Sequence, residues 1–209
     1  MELSTSTKWQ SSKTRVFWGE IAATDHLVQI YENDEDFLDL LESFVCDGIN
    51  ANDCVIIIAT SSHLSCLETR LMLKGLDVKS LCKDHQYIPL NAQETLSKFM
   101  VNGQPDEILF NATVSDIIKI ADNKNRQVRA FGEMVALLWA QGFSGATMEL
   151  EILWNKFCAS EAFCLLCAYP KSGFTQDINA SISSICCSHA KMISGLDKSK
   201  REIFYQALS

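Results

Sequence analysis

The sequence predicts an α/β fold in three layers, with a mainly parallel sheet, helices on both faces and a helical extension at the C-terminal end. Three observations lead there. Between His26 and Pro170, short runs rich in β-branched residues alternate with amphipathic segments of helical period, which is the rhythm of βαβ units. One run, DCVIIIAT at 53–60, is apolar almost throughout, as expected of a strand covered on both faces. Finally, 209 residues with 47% apolar and 21% charged side chains suit one core burying roughly 70% of the unfolded chain's surface, so neither metal nor disulfide is needed for folding. The chain reads as a polar segment (1–20), an α/β domain (21–174) and a helical extension packed on it (175–209).

HLVQIYE (26–32) alternates like a half-buried strand. Asn33 or Asp34 then caps a helix whose Phe37, Leu40, Leu41, Phe44 and Val45 share a face, and Gly48 ends it. After DCVIIIAT, Ser61 or Ser62 caps a helix through HLSCLETRLMLKG. QYIPLN (86–91) is the third strand and AQETLSKFMVNG the helix after it; Pro105 opens another amphipathic segment reaching Ala121. QVRAFGE (127–133) is the fourth strand. Gly142 and Gly145 split the next stretch into two helices, before strand FCLLCAYP stops at Pro170. From Thr175 the chain reads as helical, with Ile178, Ile182 and Ile185 spaced to dock on the body.

The formal charge of −8 and the acidic run Glu32–Asp36 disfavour direct contact with nucleic acid or anionic lipid. The polar N-terminus lacks the apolar core of a signal peptide, and no run approaches the ~18 residues of a membrane span, so a cytoplasmic protein is expected. In that compartment nine cysteines are thiols. Cys164 and Cys167 have redox or zinc spacing, but residues three apart in a strand point to opposite faces.

Glu133 stands between an apolar strand and an apolar helix, at the sheet edge where open α/β folds bind ligands. His26 and His63 lie at element boundaries and converge with it if their strands are neighbours, as a general base pair, a polar contact for a ligand or a hydrogen-bonded pair that orders loops. Tyr31, Trp139, Phe143 and Trp154 are candidates for an apolar pocket or a core. There is no Gly-x-Ser-x-Gly elbow and no paired-histidine metal motif, and His63 with Cys66 offers too few ligands for zinc. ATSSHLSC, where a phosphate loop would sit after the second strand, lacks the glycines and lysine. No metal or cofactor is expected.

The ordered stretches HLVQIYENDEDFLDLLESFVCDGI, CVIIIATSSHLSCLETRL, LNAQETLSKFMVNGQPDEILF, VRAFGEMVALLWAQG, LEILWNKF and FCLLCAYP resemble the MEDS domain, a sensory domain of methanogens and methylotrophs. The resemblance runs from His26 to Pro170, and SICCSHAKMI around His189 is similar to the family's trailing segment. It implies a RecA-like core without a phosphate loop and a signalling input that senses small hydrocarbon derivatives. By motif position it points to His26, Gln29, Tyr31, Glu133, Glu151, Trp154 and Asn155. One departure is Leu90-Asn91-Ala92, where the family usually has Leu-Asp-Ala, which removes a carboxylate at the end of the third strand.

The expectation is therefore a non-catalytic sensing module for a small organic ligand. It would act through a signalling protein such as a histidine kinase or transcription regulator, with self-association left open. Its ligand-binding residues would be His26, Gln29, Tyr31, His63, Glu133, Trp139 and Glu151. The alternatives are an enzyme employing Glu133 with His26, a hydrolase or a nucleotide-using relic, and a protein-interaction scaffold. Without a phosphate cradle, the purified protein should show no ATP turnover with magnesium; turnover that survives purification and is abolished by Glu133→Gln would refute this.

Overall fold

The β-branched and aromatic runs form strands, and the segments of helical period pack against them. The computed structural model describes residues 9–12, 25–121, 125–161, 163–173, 191–194 and 202–206. In chain order the strands are β1 (Trp9–Ser12), β2 (His26–Tyr31), β3 (Cys54–Ala59), β4 (Tyr87–Asn91), β5 (Met100–Val101), β6 (Gln104–Pro105), β7 (Val128–Gly132), β8 (Cys164–Pro170), β9 (Lys191–Ser194) and β10 (Glu202–Gln206). The helices are α1 (Asp34–Asn50), α2 (Ser61–Leu73), α3 (Val78–Lys83), α4 (Ala92–Ser97), α5 (Glu107–Ala121), α6 (Met134–Ala140) and α7 (Ser144–Ser160).

One sheet runs β1-β10-β9-β2-β8-β7-β3-β4. From β9 to β4 all neighbours are parallel; β10 and β1 add antiparallel strands at the far edge. The buried side chains of α1, α2 and α3 belong to one apolar cluster, and those of α4 to α7 to another across the sheet. The two crossovers from β2 to β4 move one way along the sheet over the first face, and those from β4 to β8 return over the second. All four therefore have the same hand, as parallel crossovers do. The β7 and β3 strands are neighbours whose following helices leave toward opposite faces, and such a divergence opens a crevice at the C-terminal edge. β3 is buried at every position, as its uniform apolarity requires. Cys164 belongs to the α1–α3 cluster and Cys167 to the α4–α7 cluster, so their sulfurs do lie on opposite faces.

Several local expectations are corrected. The cap of α2 is Thr60, not Ser61 or Ser62, because Thr60 is the residue in extended backbone whose hydroxyl accepts from His63 N–H. AQETLSKFMVNG is not one helix: α4 stops at Ser97, and Asn102-Gly103, with φ of 51° and 79°, form the two-residue turn of the β5–β6 hairpin. α3 arises where no helix was expected, capped by Asp77. The extension is not helical where it is described. Its stretches KMIS and EIFYQ are β9 and β10, whose β-branched and aromatic residues suit the open edge beside β2. Ile178, Ile182 and Ile185 lie outside the described residues.

Gly48 does not end α1, which continues to Asn50. It is needed for close approach: a Cβ there would meet Val55 Cγ2 at 2.6 Å and Arg129 Cδ at 2.8 Å. Arg129 is held in place, donating from Nε to Asp53 at 2.8 Å and covering the Phe44 ring at 5.4 Å. Gly48→Ala gains roughly 1 kcal/mol of helix propensity but overpacks a rigid contact at about 1–3 kcal/mol. Net destabilisation in chemical denaturation is the expected result, and a more stable variant would refute the packing argument.

Candidate functional site

The β7–β3 crevice is closed by Glu133. Its backbone N–H donates to Ile58 O at 2.9 Å, continuing the β7–β3 ladder one residue past the strand. Its side chain then turns toward α2. Oε2 accepts from Thr60 N–H at 2.8 Å, and Oε1 accepts from His63 Nδ1–H at 2.9 Å. The carboxylate thus occupies the N-terminal end of α2, where unpaired N–H groups and the helix dipole favour an anion. A group from the chain itself takes the position in which a bound phosphate would otherwise gain most. Glu133 is 5% exposed, so its burial is offset by these two bonds.

An aromatic row extends from this tie. Phe37 packs on His63 at 4.7 Å between centroids and stacks on Tyr31 at 4.8 Å. Burial, with the Glu133 and Asp34 carboxylates beside it, pushes the Tyr31 phenol far above its ordinary range. His63 is raised above its ordinary 6.5, first by the hydrogen bond to Glu133 and further by the charges of Glu133 and Asp34, while desolvation acts the other way. Asn91 extends the edge: its Oδ1 caps α4 by accepting from Glu94 N–H at 2.9 Å, and its Nδ2 donates to Ser61 Oγ at 2.7 Å. A carboxylate in its place could cap but could not donate to Ser61. Further along, Lys171 pairs with Glu32 between the ends of β8 and β2.

His26 is not part of this group, which corrects the expected pairing with Glu133. In the sheet register His26 is level with Leu165 and Leu165 with Ala130, so Glu133 follows three residues farther along, about 10 Å up the strand direction. His26 instead lies beneath α7. Its Nδ1 is 2.8 Å from Asn155 Oδ1, and its Nε2 is 3.3 Å from Cys167 Sγ and 3.6 Å from Glu151 Oε2. Tyr169 donates to Glu151 Oε1 at 2.5 Å. Glu151 is fully buried, and burial pushes its carboxyl upward against the opposing effects of His26 and Tyr169. Trp139 meets Tyr169 edge to face at 6.4 Å.

The seven candidate residues therefore separate. Tyr31, His63 and Glu133 share the C-terminal edge, while His26, Glu151 and Trp139 gather around Tyr169 and α7. Gln29 is buried on the Tyr31 side of β2, opposite His26. Tyr31 and Trp139 pack into different clusters; Trp154 is core, 1% exposed against Phe110 and Phe163. Phe143 alone of the proposed aromatics lines a described cavity, of about 180 Å³, with Leu96, Met100 and Leu138. Thr60 and Tyr169 were not identified from sequence, and Phe37 and Cys167 were read there only as a helix-core residue and a thiol. His26, Trp139, Glu151 and Asn155 of the second group were named from sequence, Glu151 and Asn155 through the family resemblance; these two lie four apart on α7.

A profile of the methanogen/methylotroph DcmR sensory domain, MEDS, matches residues 25–190. The chain belongs to the MEDS family. No curated protein matches it. Among solved structures, an uncharacterized protein from Pyrococcus horikoshii, crystallised with an unknown peptide, is similar with a TM-score of 0.59 and 12% identity over 90% of this chain and 86% of that one. At that identity the likeness is one of fold. Among the described residues of this MEDS protein, no helix is long and apolar enough to cross a membrane.

The raised His63 value sets a pH dependence. The charged pair contributes fully below the ordinary value of 6.5 and is lost as pH rises through the higher folded-state value. Stability should therefore fall across that window, and Glu133→Gln should remove the dependence while costing about 1–3 kcal/mol on its acid side. Denaturant unfolding of both proteins at several pH values checks this; parallel curves would refute it.

Proposed function

We propose that this MEDS protein is a non-catalytic sensing module that binds a small organic, hydrocarbon-derived ligand and signals through a partner such as a histidine kinase or transcription regulator, without contacting nucleic acid or membrane directly. Membership of a sensory family supports the signalling role. The observation that carries the ligand class is the apolar cavity between α4, the β5–β6 hairpin and the C-terminal end of α6. At about 180 Å³ it suits a ligand of few heavy atoms, well below the 300 Å³ and more of drug-sized sites. Gln93, Ser97 and Gln141 give its rim a few polar groups.

The cavity lies at one end of α6 and Glu133 at the other, so seven helical residues join them. A ligand that shifts α6 acts on the bonds from Glu133 to Thr60 and His63, and through them on α2 across the sheet. Both Glu133 oxygens are engaged in that tie, which supports a mechanical use of the carboxylate over a free general base.

A panel of small apolar compounds and nucleotides, screened by thermal shift, tests this reading. A ligand at ten times its Kd stabilises the native state by about 1.4 kcal/mol. Small apolar compounds should raise the melting temperature and nucleotides should not. Ser97→Trp, at an exposed lining position, should abolish the shift. A shift that survives this substitution, or one produced only by nucleotides, would overturn the proposal.

A further inference from the structure

The buried cluster under α7 has the donor set and spacing of a transition-metal site. His26, Glu151 and Cys167 come from β2, α7 and β8, and one ligand atom from each lies within 4.8 Å of the others. Two separations from His26 Nε2 are shorter, 3.3 Å to Cys167 Sγ and 3.6 Å to Glu151 Oε2. A tetrahedral ion with bonds of ~2.1 Å to nitrogen or oxygen and ~2.3 Å to sulfur holds neighbouring donors roughly 3.4–3.7 Å apart. The nitrogen–sulfur and nitrogen–oxygen pairs are already near that spacing.

The surroundings match what such a site requires. With Nδ1–H donating to Asn155 Oδ1 at 2.8 Å, His26 presents the Nε2 lone pair to the other two donors, the outer-shell arrangement that orients metal-bound histidines. Tyr169 secures Glu151 by its Oε1, leaving Oε2 on the histidine side. Glu151, Asn155 and Cys158 fall at i, i+4 and i+7 along α7, so a further thiol stands on the same stripe.

We propose that His26, Glu151 and Cys167 bind one divalent transition ion of zinc-like preference. The mixed nitrogen, sulfur and oxygen donors favour zinc or its cobalt substitute over magnesium or calcium, which need more oxygen ligands. The ion is held by the Glu151 carboxylate, the Cys167 thiolate and the neutral His26 imidazole, and any proton on the carboxyl or thiol leaves to solvent. The two positive charges of the ion meet two negative donors, and the dry interior receives no net charge. Half-buried Asn155 marks the side of the cluster nearest solvent. Local spacing gave no metal motif because the donors are 125 and 16 residues apart and meet only through the sheet and α7.

The full chain, treated with chelator, is titrated with cobalt(II). One equivalent should bind with a thiolate-to-cobalt charge-transfer band and the intense visible bands of four-coordinate cobalt, and be displaced by zinc. Cys167→Ala should lose the charge-transfer band, whereas Cys164→Ala, on the opposite face, should keep it. His26→Gln, monitored for folding by circular dichroism, should weaken cobalt binding at least tenfold. Failure of cobalt to bind, a charge-transfer band that persists in Cys167→Ala, or unchanged affinity in His26→Gln would each overturn the site.

Discussion

The geometry of the C-terminal edge depends on one buried carboxylate. β7 and β3 must lie side by side for the parallel sheet to be continuous, yet the helices that follow them leave toward opposite faces and part the backbone there. Water or a ligand would fill the opening unless the chain filled it. Glu133 does so with its backbone N–H on Ile58 and its two oxygens on Thr60 and His63. A neutral side chain of similar size could satisfy one donor, but only a carboxylate accepts from both while adding a favourable charge at the start of α2. Phe37, Tyr31 and the Asn91–Ser61 bond are then arranged around a closed edge.

The same sheet divides the polar chemistry into two environments. At the edge, His63 is partly reachable by solvent and titrates against a carboxylate that has its own hydrogen bonds, so the pair responds to pH. Under α7, His26 and Glu151 are enclosed, and burial disfavours the charged forms of the Glu151 carboxyl and the Cys167 thiol. The two histidines seem equivalent along the chain, each at the start of an element, but they differ in what surrounds them. That difference separates an adjustable contact from a closed donor set.

A sensory domain needs a part that yields and a frame that does not. β3 and its neighbours, buried on both faces, supply the frame. α6 is short, lies against the small apolar cavity and is joined to the opposite face by the Glu133 bonds. Under the proposed function, a ligand at the cavity would act on α2 through hydrogen bonds whose geometry is steep with distance. This is a more economical route between faces than repacking a core of native density.

The sequence by itself determined the layers: the continuous apolarity of 53–60 requires a strand covered twice, and the helical periods of α1, α5 and α7 require helices to cover it. It also placed Glu133 at the sheet edge, because a charge directly after an apolar strand has nowhere else to go. It misjudged short-range competitions, such as the Asn102-Gly103 turn that ends α4 early and the β-forming stretches beyond 190. Only the tertiary structure decided which histidine meets Glu133. That choice follows from strand order, since β3 neighbours β7 while β8 stands between β7 and β2, and from register, which sets His26 lower in the sheet. Order and register are settled by how all the helices pack at once, and no local spacing in the chain encodes them.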